Sequence, residues 1–510
     1  MNKKSNMAVV TAAFVCLMAL TGRAQDSVKV QRDPVPMPTV SQDTLLKHIM
    51  NLSSETYEGR MSGTAGYDRA VKYVEGVLAS YGVEDITEQE FKVECNEVEN
   101  CKFNVYIPGV KDKRVFTLGH EFCCAGMTGR GYVDAQLVFC GYGVDSKLMD
   151  DYAGVDVQGK IAVVLTGLPE GHVLPQSEVE RNTTLRDKAR SAERHGAIGL
   201  LAVNLSESCL PDAPQGRVYC GALPHLGTFP ILQLTRECGR EIMSGESMGL
   251  EEAVAAIAAD KGPHSFALLK KAEIDINARY RSEARTANVV GILKGSDRRY
   301  SKEYIMVGAS LDGAGMQGET CLFPGADINA SGVAAVLETA RLLSQPGYRP
   351  KRSVVFVLFA AGEQQYLGSR RFADMFPKLR RIEAFVNVQN IGYGDSLLVL
   401  GNAHYPTLYN IAANRDTFPG RHNIMRGIEP TEPRGDARVF DAMRLPSLVI
   451  TTHNGMHHNH VATDIWENID RRMLVIGAQL ATETVAELAE GLYVGRSPQS
   501  KGYRYGLIQY

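Results

Sequence analysis

From Thr286 onward the chain alternates short apolar runs with amphipathic stretches, and this pattern restricts the fold more than any other feature. Strand-like runs at 288–293, 304–309, 353–360, 384–388 and 448–452 are interleaved with segments at helical spacing. Over 331–343, Val333, Val336, Leu337 and Ala340 share one face, and over 471–492, Met473, Ile476, Leu480 and Leu488 fall in step. Strands alternating with helices imply an α/β fold: a mostly parallel, mixed sheet sandwiched by helices. In such folds ligands bind outside the carboxyl ends of the strands. Those ends are where functional residues are sought.

Upstream the texture differs. A glycine-rich loop, Tyr57-Glu58-Gly59-Arg60 and Ser62-Gly63-Thr64, leads into a helical pattern over 68–81. Between Gly131 and about Leu234 short β-rich runs at 132–139, 160–165, 200–203 and 230–234 are separated by turn residues, with one helical stretch at 185–195. This reads as a small β-rich domain inserted into a larger one. At 510 residues the chain is long enough for two or three domains.

Lys3 and Lys4, the apolar stretch 8–20 and the small residues Gly22 and Ala24 have the layout of a secretory signal peptide cleaved after Ala24. A buried N-terminal helix would be amphipathic, whereas this run is apolar all round. Cys16, inside that run, does not read as a lipid-attachment site. The mature chain is therefore expected outside the cytoplasm, periplasmic or extracellular. Residues 25–40, with Pro34, Pro36 and Pro38, read as an extended linker. No internal apolar run is long enough for a transmembrane segment. A net charge of −3 gives no reason to expect nucleic acid as a partner. Nine cysteines remain after cleavage; Cys95 with Cys101 and Cys209 with Cys220 are plausible disulfides on spacing, and buried free thiols are the equal alternative.

Five segments collect at the expected strand ends. They are Ser310-Leu311-Asp312, Gly325-Ala-Asp327-Ile328-Asn329-Ala-Ser-Gly332, Ala361-Gly-Glu363-Gln364-Gln365, Gln389-Asn390-Ile-Gly392, and His460 with Asp464. In order and spacing they resemble the di-zinc aminopeptidase family (clan MH), with its phosphorylase/hydrolase-like fold and relatives among leucyl aminopeptidases, glutamate carboxypeptidase and transferrin receptor. The stretch from Gly141-Tyr-Gly-Val to Asp151-Tyr-Ala-Gly-Val-Asp-Val-Gln-Gly-Lys160 is similar to that family's protease-associated insert. The resemblance implies a peptidase-like domain over 41–125 and 266–495, the insert at 126–265, and a C-terminal tail at 496–510.

The resemblance also implies five metal ligands, and four positions lack theirs. Ser310 stands where a histidine is expected, Ile328 where a carboxylate bridges both metals, and Gln364 and Gln389 where acidic ligands are expected. His460 alone is retained, with Asp464 four residues on. Asp312 and Glu363 match the supporting aspartate and the general base, and the loop at Gly435-Asp436-Ala437 lacks a further histidine. Two ions roughly 3.5–4 Å apart need an atom able to bridge them, and isoleucine has no lone pair. Amide oxygens are poor ligands for zinc, which takes imidazole, thiolate or carboxylate.

The expected cofactor is therefore none, against the family's two zinc ions, and the expected role is an inactive pseudopeptidase that binds a peptide or protein ligand. The alternative is an active exopeptidase with an unorthodox zinc site, in which Asp327 and Glu363 shift in beside His460. A metal-independent amidase or cyclase using Asp312 and Glu363 is a third reading. His453, His457, His458 and His460 are weighed as a separate metal tract and taken for loop polar residues.

Overall fold

The computed structural model describes residues 39–205, 225–260, 262–300, 302–415, 421–425, 431–455, 460–491 and 493. The expected signal peptide, most of the linker, Cys209, Cys220, His457, His458 and the tail lie outside them. Helices are α1 (Gln42–Leu52), α2 (Ala65–Ser80), α3 (Gln176–Asn182), α4 (Leu185–Arg194), α5 (Arg236–Met243), α6 (Leu250–Asp260), α7 (Gly332–Leu343), α8 (Leu367–Met375), α9 (Pro406–Ala413), α10 (Asp436–Ala442) and α11 (Arg471–Ala489). The principal strands are β1 (Glu84–Tyr106), β2 (Phe122–Cys124), β3 (Gly131–Phe139), β4 (Ile161–Leu165), β5 (Gly199–Val203), β6 (Ile231–Leu234), β7 (Phe266–Leu293), β8 (Tyr304–Ser310), β9 (Ser353–Phe359), β10 (Ile382–Val388), β11 (Ser396–Leu400) and β12 (Ser447–His453).

The sheet order is β11-β12-β10-β8-β9-β7-β3-β4-β5-β6-β2, with β1 beside β7. β12, β10, β8 and β9 are mutually parallel, so their carboxyl ends lie along one edge. β9 is buried at every position, as a strand covered on both faces must be. Its Val355, Val357 and Phe359 join an aromatic cluster with Phe372 of α8, Phe385 of β10 and Phe440 of α10. Its residues of opposite parity face the other side. α7, buried on nearly every face, is packed between the sheet, α1 and α11. Asp470 caps α11 through the N–H groups of Arg472 and Met473, at 2.8 and 3.1 Å.

The longest strands do not follow from apolar pattern. β1 and β7 pair antiparallel along most of their lengths, and β7 borders β9 at its carboxyl end and β3 at its amino end. This ribbon is rich in charged residues that face solvent, and sequence periodicity captured only 288–293. The span 131–234 also differs from expectation: it holds two helices, α3 and α4, where one was expected, and α5 and α6 follow it. Its strands β4, β5 and β6 are parallel, and parallel neighbours need crossover connections.

The expected Cys95–Cys101 disulfide does not form. Both thiols are free and buried, and both residues belong to β1. Six residues of extended strand separate them by about 20 Å, far beyond the roughly 7 Å that a disulfide spans between Cα atoms. No helix among the described residues is long and apolar enough to cross a membrane.

Candidate functional site

The carboxyl ends of β8, β9, β10 and β12 bring Ser310, Asp312, Glu363, Gln389 and His460 to one edge. Ser310 ends β8 and donates its hydroxyl to Asp436 Oδ2 at 2.6 Å. Asp436 is fully buried where α10 begins, and burial, opposed by the Ser310 and Ser369 hydroxyls, pushes its carboxyl up to about 6. Gln389 packs on Gly435, whose φ is +59°; a Cβ there would lie 2.2 Å from Gln389 Nε2. Only glycine suits that position.

Asp312 accepts the N–H groups of Gly362 and Glu363 at 2.9 and 3.3 Å. It thereby pins a loop in which Ala361, Gln365 and Tyr366 all have positive φ, a conformation that side chains resist. Burial first, and then the neighbouring Glu363 charge, push Asp312 to about 8. Gln364 is buried and gives its amide to the Glu94 carbonyl of β1 at 2.7 Å. The loop presents Glu363, whose Oε1 lies 2.7 Å from His460 Nε2; the two side chains are 14% and 7% exposed.

The turn after Gly325 is held by Asp464. Its two oxygens accept the N–H groups of Asp327 at 2.8 Å and Ile328 at 3.1 Å. The Asp327 side chain bonds elsewhere, accepting Gly392 N–H at 2.6 Å and the Ser331 hydroxyl at 2.9 Å. Burial raises both carboxyls, Asp327 to about 7 and Asp464 to about 6. Ile328 contributes its backbone to this turn, and its half-buried side chain is a hydrocarbon.

Beneath these carboxylates lies Arg60, which is fully buried. It donates to the carbonyls of Leu311, Leu52, Pro324 and Gly325, so one guanidinium ties α1, β8 and the Gly325 turn together. Burial lowers it to about 10 against the attraction of Asp464 and Asp312. In sequence, Arg60 stands out only as part of a loop signature and Asp436 only as a position without histidine. A lone arginine carries no signal of burial; Asp436 had one, an acidic residue opening a helix directly after glycine.

Among the described residues, one set of three His, Cys, Asp or Glu side chains converges with ligand atoms within 4.8 Å of one another: Asp145, Asp150 and His195. Asp327, Glu363 and His460 do not form such a set. His453 turns to Asp395 at 3.0 Å and is not part of the edge.

Comparison with known proteins gives the context. Residues 288–485 match the profile of peptidase family M28. Aminopeptidase YwaD of Bacillus subtilis (strain 168) is 23% identical over 76% of this chain and 70% of its own length. Transferrin receptor protein 2 of Homo sapiens is 23% identical over 52% of this chain and 34% of its own length. A solved zinc aminopeptidase from Bacillus subtilis superposes with a TM-score of 0.62 at 20% identity, over 89% of this chain and 96% of that one. The aminopeptidase from Aneurinibacillus sp. strain AM-1 gives 0.60 at 21%, over 88% and 93%. These likenesses establish the shared fold.

Proposed function

We propose, from the match of residues 288–485 to peptidase family M28, that the chain is an exported member that has given up its two-zinc centre and binds peptide or protein ligands without cleaving them. The observation that carries this reading is the 2.7 Å contact between Glu363 and His460. The retained imidazole ligand of the family pattern is satisfied by the retained general base, with no third acidic or imidazole ligand converging on them among the described residues. Ser310, Ile328, Gln364 and Gln389 supply a hydroxyl engaged with Asp436, a hydrocarbon, an amide engaged with β1 and a second amide. Such donors do not fit two dications. We assign the span 126–265 to a protease-associated domain and residues 1–24 to a signal peptide removed on export.

The charge at the edge indicates the ligand. Asp312, Asp327, Glu363, Asp436 and Asp464 gather at this edge, and the buried Arg60 offsets Asp464 and Asp312. A buried carboxylate must be protonated, solvated or matched by a cation, and the amine of a peptide N-terminus supplies that cation. Trp466 lies two residues beyond Asp464. Trp466 is the only tryptophan, so its fluorescence reports occupancy. Short peptides with free N-termini should bind in calorimetry, and N-acetylation or Glu363→Ala should weaken binding tenfold or more, about 1.4 kcal/mol. Equal affinity for free and acetylated peptides, or none for either, would overturn the amine assignment; hydrolysis of the peptide would overturn the pseudopeptidase.

A further inference from the structure

We propose that Cys101 and Cys124 close an intramolecular disulfide in the exported protein, a modification that joins β1 to β2 across the core beside the inserted span. Side chains two apart on a strand share a face. Phe103 therefore accompanies Cys101 on β1, and Phe122 accompanies Cys124 on β2. The two phenylalanine rings meet edge to face with centroids 5.3 Å apart. A step of two residues along each strand puts Cys101 and Cys124 beside that ring pair, and the neighbouring Cys101 thiol adds to burial in raising the Cys124 thiol.

A separate contact keeps the strands in this alignment. The Gln317 amide clamps the Cys124 backbone, donating to its carbonyl and accepting its N–H, each at 2.9 Å. Gln317 is itself paired with Val98 of β1, three residues before Cys101. Cys101 and Cys124 are both free thiols in this structure and lie in one apolar cluster, 8% and 0% exposed. Cys123 alternates to the opposite face of its strand.

The chemistry follows from the compartment, and in this respect the inference rests on the export proposed above. An oxidised dithiol–disulfide carrier of the secretory route accepts the electrons. Both thiols lose their protons, one S–S bond forms between Cys101 and Cys124, and the carrier's S–S bond becomes two thiols. Burial leaves no path for the carrier in the folded chain, so the exchange belongs to folding and the finished bond resists reductant until the protein unfolds.

The test is peptide mapping after denaturation and alkylation without reduction, on two preparations of the full chain. One carries its own leader and is recovered from the host's secretory compartment; the other is refolded from reduced protein in oxidised and reduced glutathione. The expected result in both is a linked pair of peptides containing Cys101 and Cys124, with neither residue alkylated. Reduction without denaturant should leave the bond intact, and Cys101→Ser should render Cys124 alkylatable. Failure of the leader to direct export removes only the first preparation, and the refolded protein still decides the bond. Alkylation of both residues in the refolded wild type, or linkage of Cys124 to Cys321, would overturn the proposal.

Discussion

Glu363 and His460 are hydrogen-bonded at the strand ends, and the cost of separating them is measurable. Removing one member of a largely buried hydrogen-bonded pair leaves the other unsatisfied, at about 1–3 kcal/mol and more where a charged group is involved. With side chains 14% and 7% exposed, Glu363→Ala should lower stability by about 1–3 kcal/mol in urea unfolding, and Glu363→Gln by less because the amide keeps a hydrogen bond. A loss under about 0.5 kcal/mol, the size expected of an exposed pair, would show that the contact does not replace a metal. Arg60 is more demanding. Arg60→Met strands four carbonyls and the neighbouring Asp464, so a loss of about 3–5 kcal/mol is expected. Arg60→Lys should recover little, since a point charge cannot serve a planar fork. At this scale the missing donors were legible from letters alone: Ile328, Gln364 and Gln389 cannot be zinc ligands of ordinary strength wherever they sit. What the letters did not contain was direction. Asp327 neighbours Ile328 in sequence, yet its carboxylate is bound by Gly392 and Ser331. Ile328→Asp alone should therefore restore no hydrolysis of aminoacyl anilides with zinc or cobalt added; turnover in that variant would mean that the other positions can still hold metal.

The elements arrange buried acids without an equal number of cations, and this gives the protein a characteristic response to pH. Asp312, Asp327, Asp436 and Asp464 are raised from an ordinary 3.8 to about 8, 7, 6 and 6, each chiefly by burial. A carboxyl whose folded value is raised contributes stability that is complete below its unfolded value and is lost as pH rises through the folded one. His48, lowered to about 4 by burial, works the other way, but only once pH falls below its unfolded 6.5. The urea midpoint should therefore rise on going from pH 8 to pH 6. Ions bound at the site would hold the carboxyls ionised, and the midpoint would then stay level or fall. The elements carrying these acids were mostly readable. β8, β9, β10, β12, α7 and α11 are apolar runs or amphipathic repeats, and their observed bounds lie within a few residues of the sequence reading. The β1–β7 ribbon was not, because its exposed residues are charged and its pattern is neither clean alternation nor helix. Likewise α3 was hidden in a span whose buried strands dominate the pattern.

For the molecule as a whole, the fold is the one shared with zinc aminopeptidases, and the proposal is that the chemistry at its strand ends differs. The order of the motifs identified that fold because parallel strands, crossover helices and a helix opening at Asn-Ala-Ser-Gly depend on local pattern. The change of texture between Gly131 and Leu234 was visible, whereas the continuous ribbon that joins its first strand to the rest of the sheet depends on long-range pairing that no local pattern encodes. The central claim is that this scaffold no longer organises two zinc ions, and metal content tests it most directly. The mature protein, dialysed against micromolar zinc and then against metal-free buffer, should retain far less than one ion per chain by elemental analysis. One or two tightly held ions per chain, lost together on Glu363→Gln, would contradict the account.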